Sequence, residues 1–518
     1  MWAALDRSVW PWDQAWYGAQ PISLYEALRH HPLSWPAALV AATPAKPPAV
    51  VWIGQFFVPL GAALGSIDAS LLLSVWLCQV AALVLLFTAL AGLFRGRTGA
   101  AAAGMMVVAA APLFIALNTQ YLAEASQTLA VSLFVLLMAR APAWSRPRTA
   151  ALLLAATAFA LLAKTTSPLY CLLPGLLVLA TLLRPRPPGA AAGRGAAASA
   201  SVLAGLSAVA AAAWYAHNFG IALQHARTAA FGGLAEQYGH SDTFLHALAE
   251  WGRAAFSVAF LPAAAWMLAA VVAAGARCRL ARRRAEPPGH ADACAAAAFL
   301  QVGLAFGAFA LSPNRDPRYV APLLPLAAVV VAWAVRQCPR WAAPLVVALL
   351  GVQLALVHAQ VLDLWPSRPA LATAWMGLGP EMSLLHRDGA GARELAQIVQ
   401  RTCPTGVARA SHFVGVDQLH LNGHSVTYAA AKERVGGRAG ECVYYSLGSR
   451  PVAEGEYLVR RDAFTYWIAT DGVARPILSH ERFLNESAPV LWRRLRRRGR
   501  LEPEPWTGPP GLLLFRFR

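Results

Sequence analysis

Long apolar runs separated by short polar stretches fill the chain between residues 68 and 361. A helix needs about 20 apolar residues to cross the hydrocarbon core of a bilayer, and most of the runs approach that length. The pattern predicts about ten spanning helices, near residues 68–94, 100–117, 120–139, 149–163, 167–183, 197–216, 252–275, 292–312, 319–335 and 341–361. The predicted fold class is therefore mostly α, a polytopic transmembrane helix bundle.

The connections between these runs alternate in charge. Every second connection is rich in arginine and lacks Asp and Glu, at residues 95–97, 140–148, 184–194, 277–284 and 336–340. Basic loops resist translocation, so these connections are predicted to be cytoplasmic. The less basic connections, which begin at Asn118, Lys164, His217 and Ser312, are then extracytoplasmic. The same alternation places residues 1–67 and the tail after Leu362 on the outer side.

The predicted topology begins outside the membrane, although no apolar run precedes residue 68. The opening stretch, MWAALDRSVWPWDQAWYG, is too polar to span a bilayer. We expect a first helix to be missing upstream of Met1, in preference to unaided translocation of a bare N-terminus.

The tail, residues 363–518, has polar residues and only short apolar runs. GARELAQIVQRTC is predicted to be an amphipathic helix, and VARASHFVG, SVTYAA, ECVYYSLG, GEYLVRR and LLLFRFR are predicted to be strands. We therefore predict a C-terminal extracytoplasmic α/β or α+β domain. The predicted domains are a first periplasmic loop with interfacial helices at 1–67, the bundle at 68–362 and the soluble domain at 363–518.

Two of the seven cysteines, Cys403 and Cys442, lie in this tail. A disulfide between them is compatible with an oxidising periplasm. Two buried free thiols are an equally good interpretation, because free cysteine packs as a small hydrophobic residue.

Composition supports membrane insertion and argues against nucleic-acid binding. Hydrophobic residues make up 57% of the chain and charged residues only 14%, whereas soluble domains carry about 25% charged residues. The net charge of +18 is explained by the cytoplasmic loops, and no nucleic-acid module, metal-spaced Cys/His cluster or phosphate-binding glycine loop is present. The basic run at 492–500 fits either a solvated surface helix or a site for anionic lipid headgroups or an acidic glycolipid.

Candidate chemistry lies in the first outer loop. Asp13 stands among the aromatic residues of WDQAWY, and Lys46 comes directly before Pro47 and Pro48. A carboxylate in an aromatic setting at a membrane face suits a general base, and a lysine there suits a phosphate ligand. Interfacial aromatic residues and a snorkelling lysine are the structural alternatives.

These segments resemble the polyprenyl-phosphate-dependent glycosyltransferases of the GT-C superfamily, which include protein O-mannosyltransferases and the lipid A aminoarabinose transferase. The similarity rests on WDQAWY, KPPAVVWIGQFFVPLGAALG, YLAEASQTLAVSLFVLLM, LLAKTTSPLYCLLPGLLVL and NRDPRYVAPLLPLAAV, in that order over residues 10–335. The chain departs from the family in two ways. Gln14 follows Asp13 where the family has Glu, and the family's first helix is absent.

The resemblance implies a role for each candidate residue. Asp13 matches the catalytic base, and Lys46 matches the position that contacts the lipid phosphate in some members. Arg318 and Tyr319 are candidates for contacts with the same phosphate. Contacts to the sugar or acceptor are expected from Trp12, Trp16, Tyr17 and Glu124, although a helix-start carboxylate is an equally good interpretation of Glu124. Lys164 is expected to be structural, and neither a catalytic metal nor another cofactor is expected.

The implied activity is membrane glycosyl transfer, with inversion at the sugar carbon. The donor is a sugar on a polyprenyl phosphate, and the acceptor is a cell-envelope lipid, glycan or protein. The expected location is the inner membrane of a bacterium, with the soluble domain in the periplasm. The alternatives are a flippase or transporter of a lipid-linked sugar, another integral-membrane polymerase or ligase, and a non-catalytic GT-C-like scaffold. The predicted spans hold no central charged residue, which argues against proton-coupled transport.

Overall fold

The computed structural model describes residues 5–184, 194–232, 235, 243–260, 262–282, 288–362, 364, 385, 387–471 and 479–518. Parts of the predicted arginine loops at 184–194 and 277–284, and most of the predicted start of the tail domain, lie outside these residues. The chain forms two compact units. The sheet unit comprises Met1–Trp35, Val51–Leu71 and Leu385–Arg518, and the bundle unit comprises Pro36–Val50 and Leu72–Leu384. The domain ranges 1–67, 68–362 and 363–518 stay a prediction.

Helices dominate the chain up to residue 361. In chain order they are α1 (Trp12–His30), α2 (Trp35–Ala41), α3 (Ala49–Gly54), α4 (Val58–Leu64), α5 (Ile67–Leu93), α6 (Thr98–Ala109), α7 (Pro112–Leu117), α8 (Glu124–Arg140), α9 (Arg146–Ala163), α10 (Pro168–Leu183), α11 (Arg194–Phe231), α12 (Phe244–Ala259), α13 (Pro262–Arg282), α14 (His290–Ala310), α15 (Leu324–Gln337) and α16 (Ala342–Val361). Short 3-10 turns lie at Gln55–Phe57, Ala141–Ala143 and Pro317–Leu323.

Eight helices within the described residues are long and apolar enough to cross a membrane. They are Ile67–Leu93, Glu124–Ala143, Arg146–Ala163, Ala197–Phe231, Ala264–Ala281, His290–Ala310, Pro317–Gln337 and Ala342–Val361. The prediction of a multi-pass membrane protein is confirmed. The other two predicted spans, 100–117 and 167–183, contain shorter apolar helices at Thr98–Ala109 and Pro168–Leu183.

Proline divides two of the predicted spans. The run 100–117 stops being helical at Ala111, whose ψ of 123° is extended, and α7 begins at Pro112. The predicted single span 252–275 is wrong, because Phe260 is extended with φ −144° and ψ 148° and α13 begins at Pro262. Proline lacks the N–H that continues a helix, and it disfavours helical geometry in the residue before it, as at Ala111.

Polar side chains inside the bundle bond to backbone groups of neighbouring helices. The Gln301 side chain of α14 donates to the Leu169 carbonyl at 2.6 Å and accepts the Leu173 N–H at 2.7 Å. The Gln353 amide of α16 donates to the Ala110 carbonyl at 2.6 Å, at the break between α6 and α7. Such bonds satisfy carbonyls that no water reaches in a bilayer.

The tail folds around a five-stranded sheet. Its strands are β1 (Ala410–Val414), β2 (Cys442–Ser446), β3 (Phe464–Thr470), β4 (Leu501–Pro503) and β5 (Leu512–Phe517), and its helices are α17 (Ala390–Thr402), α18 (Gly423–Val435), α19 (Val452–Arg461) and α20 (Ser487–Arg497). The strand order is β2-β1-β3-β5-β4. β1 pairs in parallel with β2 and β3, whereas β5 pairs antiparallel with β3 and β4.

Helices cover both faces of this sheet, since neighbouring strand residues point to opposite sides. Val414 and Ile468 face the cluster that contains α17 and α18, whereas Phe413 and Trp467 face the cluster that contains α19 and α20. The predicted fold class of the tail is confirmed, and its layering is that of the α/β alternative, whereas its extracytoplasmic location stays a prediction.

Two predicted strands of the tail are wrong. SVTYAA lies in α18, where the Asn422 side chain accepts the Ser425 N–H at 3.0 Å and caps the helix. GEYLVRR lies in α19, whose buried residues Gly455, Leu458 and Val459 have helical spacing. The predicted helix and the other three predicted strands are confirmed, and β3 and β4 were not predicted.

Cys403 and Cys442 form a disulfide, with Cα atoms 6.1 Å apart. It joins the end of α17 to the first residue of β2. Of the two interpretations that the sequence allows, a disulfide and two free thiols, the structure shows the disulfide.

Candidate functional site

A cluster of charged residues forms where three segments of the bundle unit end or begin. Glu124 is the first residue of α8, and Lys164 follows the last residue of α9. The Lys164 ammonium donates to Glu124 Oε1 at 2.7 Å, and Lys164 Nζ lies 4.8 Å from the centre of the Tyr319 ring. Arg318 and Tyr319 belong to the turn before α15, and Arg318 Nε donates to Asp316 Oδ2 at 2.8 Å. We call these five residues the bundle cluster.

The carboxylates of the bundle cluster are more deeply buried than its cations. The exposed side-chain fractions are 4% for Glu124 and 11% for Asp316, against 21% for Lys164 and 18% for Arg318. Burial lowers the pKa of the Lys164 ammonium group, but the Glu124 carboxylate and Tyr319 together raise it, and the net pKa is raised. For the Asp316 carboxyl group, burial raises the pKa, but the interactions with Arg318 lower it, and the net pKa is lowered. Lys164 therefore stays protonated, and each of the two cations is held in place by a buried carboxylate.

Hydrogen bonds hold Tyr319 in the bundle cluster. The Tyr170 hydroxyl donates to the Tyr319 carbonyl at 3.0 Å, and the Asn314 amide donates to the Tyr319 hydroxyl at 3.4 Å. The same Asn314 amide donates to the Ala229 carbonyl of α11 at 3.0 Å. The turn before α15 is thus fixed to two other helices.

In the sheet unit, Asp13 lies in the first turn of α1 and is half-buried. The neighbouring Trp12 donates its indole N–H to Asp417 Oδ1 at 2.6 Å. Asp417 follows β1, and its backbone N–H and carbonyl both bond to the Asn485 side chain, at 2.8 and 2.7 Å. The first turn of α1 is therefore attached to the carboxyl end of a parallel strand, where α/β sheets commonly bind ligands.

The rest of α1 packs along α18. Trp10 stacks on Tyr428 with ring centres 4.8 Å apart and planes inclined by 14°. A Cβ at Gly18 would lie 2.8 Å from the Tyr428 ring, so the close approach requires glycine. Glu26 pairs with Arg434 near the other end of α1. This packing fixes the orientation of the helix that carries Asp13.

The aromatic candidates on α1 differ in exposure. Trp12 and Trp16 are half-buried and Tyr17 is buried. Trp16 and Tyr17 meet edge to face, with ring centres 5.0 Å apart and planes inclined by 70°. Tyr17 can therefore support the Trp16 ring, whereas Trp12 and Trp16 present surface to a ligand.

Lys46 lies in the turn between α2 and α3 of the bundle unit. Its backbone N–H donates to the Thr43 carbonyl at 3.2 Å, and its side chain is half-buried. Its predicted contact with a lipid phosphate stays a prediction.

The structure therefore places the predicted residues in two groups. Glu124, Arg318 and Tyr319 meet in the bundle cluster, and Trp12, Asp13, Trp16 and Tyr17 share α1. Sequence reasoning missed the contributions of Asp316, Asn314 and Asp417, and it assigned Lys164 a structural role apart from the candidate residues. Asp316 stands two residues before Arg318, and that spacing was the available signal. Within the described residues no group of three or more His, Cys, Asp or Glu side chains could hold a metal ion.

No protein-family model matches the chain, and no curated protein matches it. Among solved structures it is similar to ArnT from Cupriavidus metallidurans bound to undecaprenyl phosphate, with a TM-score of 0.55 and 14% identity over 99% of this chain and 95% of that one. The archaeal oligosaccharyltransferase AglB from Archaeoglobus fulgidus gives a TM-score of 0.46 and 12% identity over 93% and 68%. The mycobacterial arabinofuranosyltransferase AftD gives 0.46 and 13% over 99% and 40%. The similarity to ArnT extends over nearly the whole of both chains, and the protein therefore shares the fold of ArnT.

Proposed function

We propose that the protein transfers a sugar from a polyprenyl-phosphate donor to a cell-envelope lipid, glycan or protein at the outer face of the bacterial inner membrane. The observation that carries the proposal is the bundle cluster, because anchored cations at one end of apolar helices suit a phosphate carried by a membrane lipid. The ArnT structure of the same fold contains undecaprenyl phosphate, which supports this class of donor.

The proposed reaction is a single displacement at the anomeric carbon. The acceptor oxygen forms a bond to that carbon while the bond to the donor phosphate breaks. Asp13 takes the acceptor proton as general base, and the phosphate leaves with the bonding electron pair. Arg318 and Lys46 stabilise the departing phosphate, with Tyr319 beside it. Attack opposite the leaving group inverts the sugar carbon.

The remaining candidates have supporting roles in this proposal. Trp12 and Trp16 stack on the sugar ring, and the buried Tyr17 supports Trp16. Glu124 keeps Lys164 charged at the edge of the bundle cluster, so its contribution to binding the sugar or acceptor is electrostatic.

Asp13→Asn tests the base. Asparagine keeps the size of the side chain but cannot accept the proton, so transfer should be abolished while folding and donor binding stay intact. Asp6→Asn is the matched control, because it removes a carboxylate from the same segment and should leave transfer near the wild-type rate. Wild-type transfer by the Asp13 variant, or a product with retained configuration, contradicts the mechanism.

Two substitutions test the phosphate ligands. Lys46→Ala and Arg318→Gln should each weaken donor binding by about 1.5–3 kcal/mol, the range for a hydrogen bond to a charged group. Donor affinity is measured with the purified protein in nanodiscs, and Arg450→Gln serves as the control. Movement of an intact lipid-linked sugar across the bilayer without transfer would favour the flippase alternative instead.

A further inference from the structure

The last helix of the sheet unit carries a dense array of arginines. Six arginines lie between residues 493 and 500, and all six are exposed. The apolar side of α20, formed by Ala488, Leu491 and Leu495, is buried in the domain. The helix therefore presents its basic side outward while its apolar side is used for packing.

The arginines differ in their partners. Arg494 and Arg498 lie 3.2 and 3.7 Å from Glu456 Oε1 of α19. Arg496 stacks over the Trp492 ring, with its guanidinium carbon 4.8 Å from the ring centre. We define the arginine face as Arg493, Arg496 and Arg497. Within the described part of the chain, no carboxylate lies within ion-pair distance of these three residues.

A group of positive charges without carboxylates nearby is electrostatically unfavourable. Arg493 and Arg497 are four residues apart on one helix, and like charges at this spacing repel. Binding of anions would relieve the repulsion. Guanidinium groups also bind phosphate oxygens through paired, parallel N–H bonds, which a lysine cannot provide.

The neighbouring helix α19 also carries side chains that suit a bilayer surface. Tyr457 of α19 is 54% exposed, and the Arg461 guanidinium lies 5.7 Å from the centre of its ring. Tyrosine and arginine are both favoured at the level of lipid headgroups. The domain is also covalently joined to a membrane bundle, which keeps the local concentration of headgroups high. A soluble phosphate ligand has no such advantage.

We propose that the arginine face of α20 binds the phosphate groups of an anionic phospholipid bilayer. The contact is electrostatic and superficial, because the apolar side of the helix is not available for insertion.

Arginine footprinting tests the proposal with the full chain. The protein is placed in nanodiscs of phosphatidylcholine, with or without phosphatidylglycerol, and modified with phenylglyoxal before peptide mass spectrometry. Modification of Arg493, Arg496 and Arg497 should be about tenfold slower in the anionic discs. Protection should disappear at about 1 M salt, where screening acts within about 3 Å. The exposed Arg393, Arg438 and Arg450, each paired with a carboxylate, should react equally in both discs.

A double variant adds a second test. Arg493→Gln with Arg497→Gln should remove the protection of Arg496, whereas the control Arg393→Gln with Arg450→Gln should leave it unchanged. Equal modification in both kinds of disc overturns the proposal. Protection by soluble inositol hexakisphosphate, with none from phosphatidylglycerol, also overturns bilayer binding and assigns the arginine face to a soluble phosphate ligand. Neither result depends on glycosyl transfer.

Discussion

The bundle unit and the sheet unit hold their buried polar groups by different means. In the bundle cluster, buried carboxylates oppose cations, as in the pair of Glu124 and Lys164. In the sheet unit, Asp417 is held by hydrogen bonds with the neutral side chains of Trp12 and Asn485, and a disulfide joins α17 to β2. Removal of one member of a buried ion pair lowers the stability of the fold strongly, because the other charge remains buried without a partner. We therefore expect the bundle unit to lose stability mainly when a charged partner is removed. We expect the sheet unit to lose stability when the disulfide or a hydrogen bond is removed.

The largest expected effect follows removal of Lys164. Lys164→Met leaves the buried Glu124 carboxylate unpaired, which should lower the free energy of unfolding by about 3–5 kcal/mol. Thermal unfolding in detergent measures the change, and Glu124→Gln in the same chain should recover most of it. The exposed pair of Arg450 and Glu454 is the control, where Arg450→Met should cost about 1 kcal/mol or less. Equal losses of unfolding free energy after Lys164→Met and Arg450→Met would contradict the expected difference between the two units.

Removal of the disulfide should have the next largest effect. Replacement of Cys403 and Cys442 by alanine opens a loop of 39 residues, and the sheet unit should lose about 3–4 kcal/mol of stability. The denaturant midpoint of proteolytic resistance in this unit reports the change. A reductant should lower the wild-type midpoint in the same way, and an unchanged wild-type midpoint would show that the bridge does not stabilise the unit.

A smaller effect is expected where Trp12 meets Asp417. Trp12→Phe keeps an aromatic ring but removes the N–H that the carboxylate accepts, so the sheet unit should lose about 1.5–3 kcal/mol. A double-mutant cycle with Asp417→Asn isolates the bond. Trp492→Phe is the matched control, because the Trp492 indole N–H is buried without a hydrogen-bond partner within the described residues. No coupling between Trp12 and Asp417 would contradict the attachment of α1.

The smallest expected effect is the pH dependence of His412. Burial lowers the pKa of this imidazole from 6.5 to about 4, so between these values the unfolded state binds the proton and the folded state does not. The stability of the sheet unit should therefore fall as pH falls, by about 1 kcal/mol between pH 6.5 and 5.5. His412→Phe should remove this contribution. Identical pH profiles of wild type and variant in chemical unfolding would contradict it.

Periodicity predicted the bundle better than the sheet unit. Apolar runs as long as 67–93 have few alternatives to a spanning helix. The tail segments are short, and SVTYAA fits strand alternation until its cap, Asn422, is included. The break at Phe260 lies two residues before Pro262, within an otherwise apolar run. The hydrophobic pattern predicts an element correctly where the length of the apolar run leaves few alternatives. It fails where one residue that caps or interrupts a helix determines the structure.

The candidate site was predictable only within segments. Trp12 and Asp417 are 405 residues apart in the chain, and the partners Glu124 and Lys164 are 40 apart. A single sequence shows that each residue lies at the end of an apolar run, but it does not show which ends meet. Three of the candidate residues, Glu124, Arg318 and Tyr319, lie together in the bundle cluster. The family resemblance, not periodicity, was the reason for selecting them, and their roles stay a prediction.

The length of α11 gives the membrane itself a role in the geometry of the bundle cluster. Its 38 residues measure about 57 Å at a rise of about 1.5 Å per residue, almost twice the hydrocarbon thickness of about 30 Å. Near its far end, the Ala230 and Ala229 carbonyls accept hydrogen bonds from Ser312 and Asn314, directly before the turn that carries Arg318. The helix is thus long enough to cross the hydrocarbon core and extend beyond it, and its last turn is hydrogen-bonded to the residues before the charged turn. The charged turn is consequently held by a helix that is longer than the hydrocarbon core is thick.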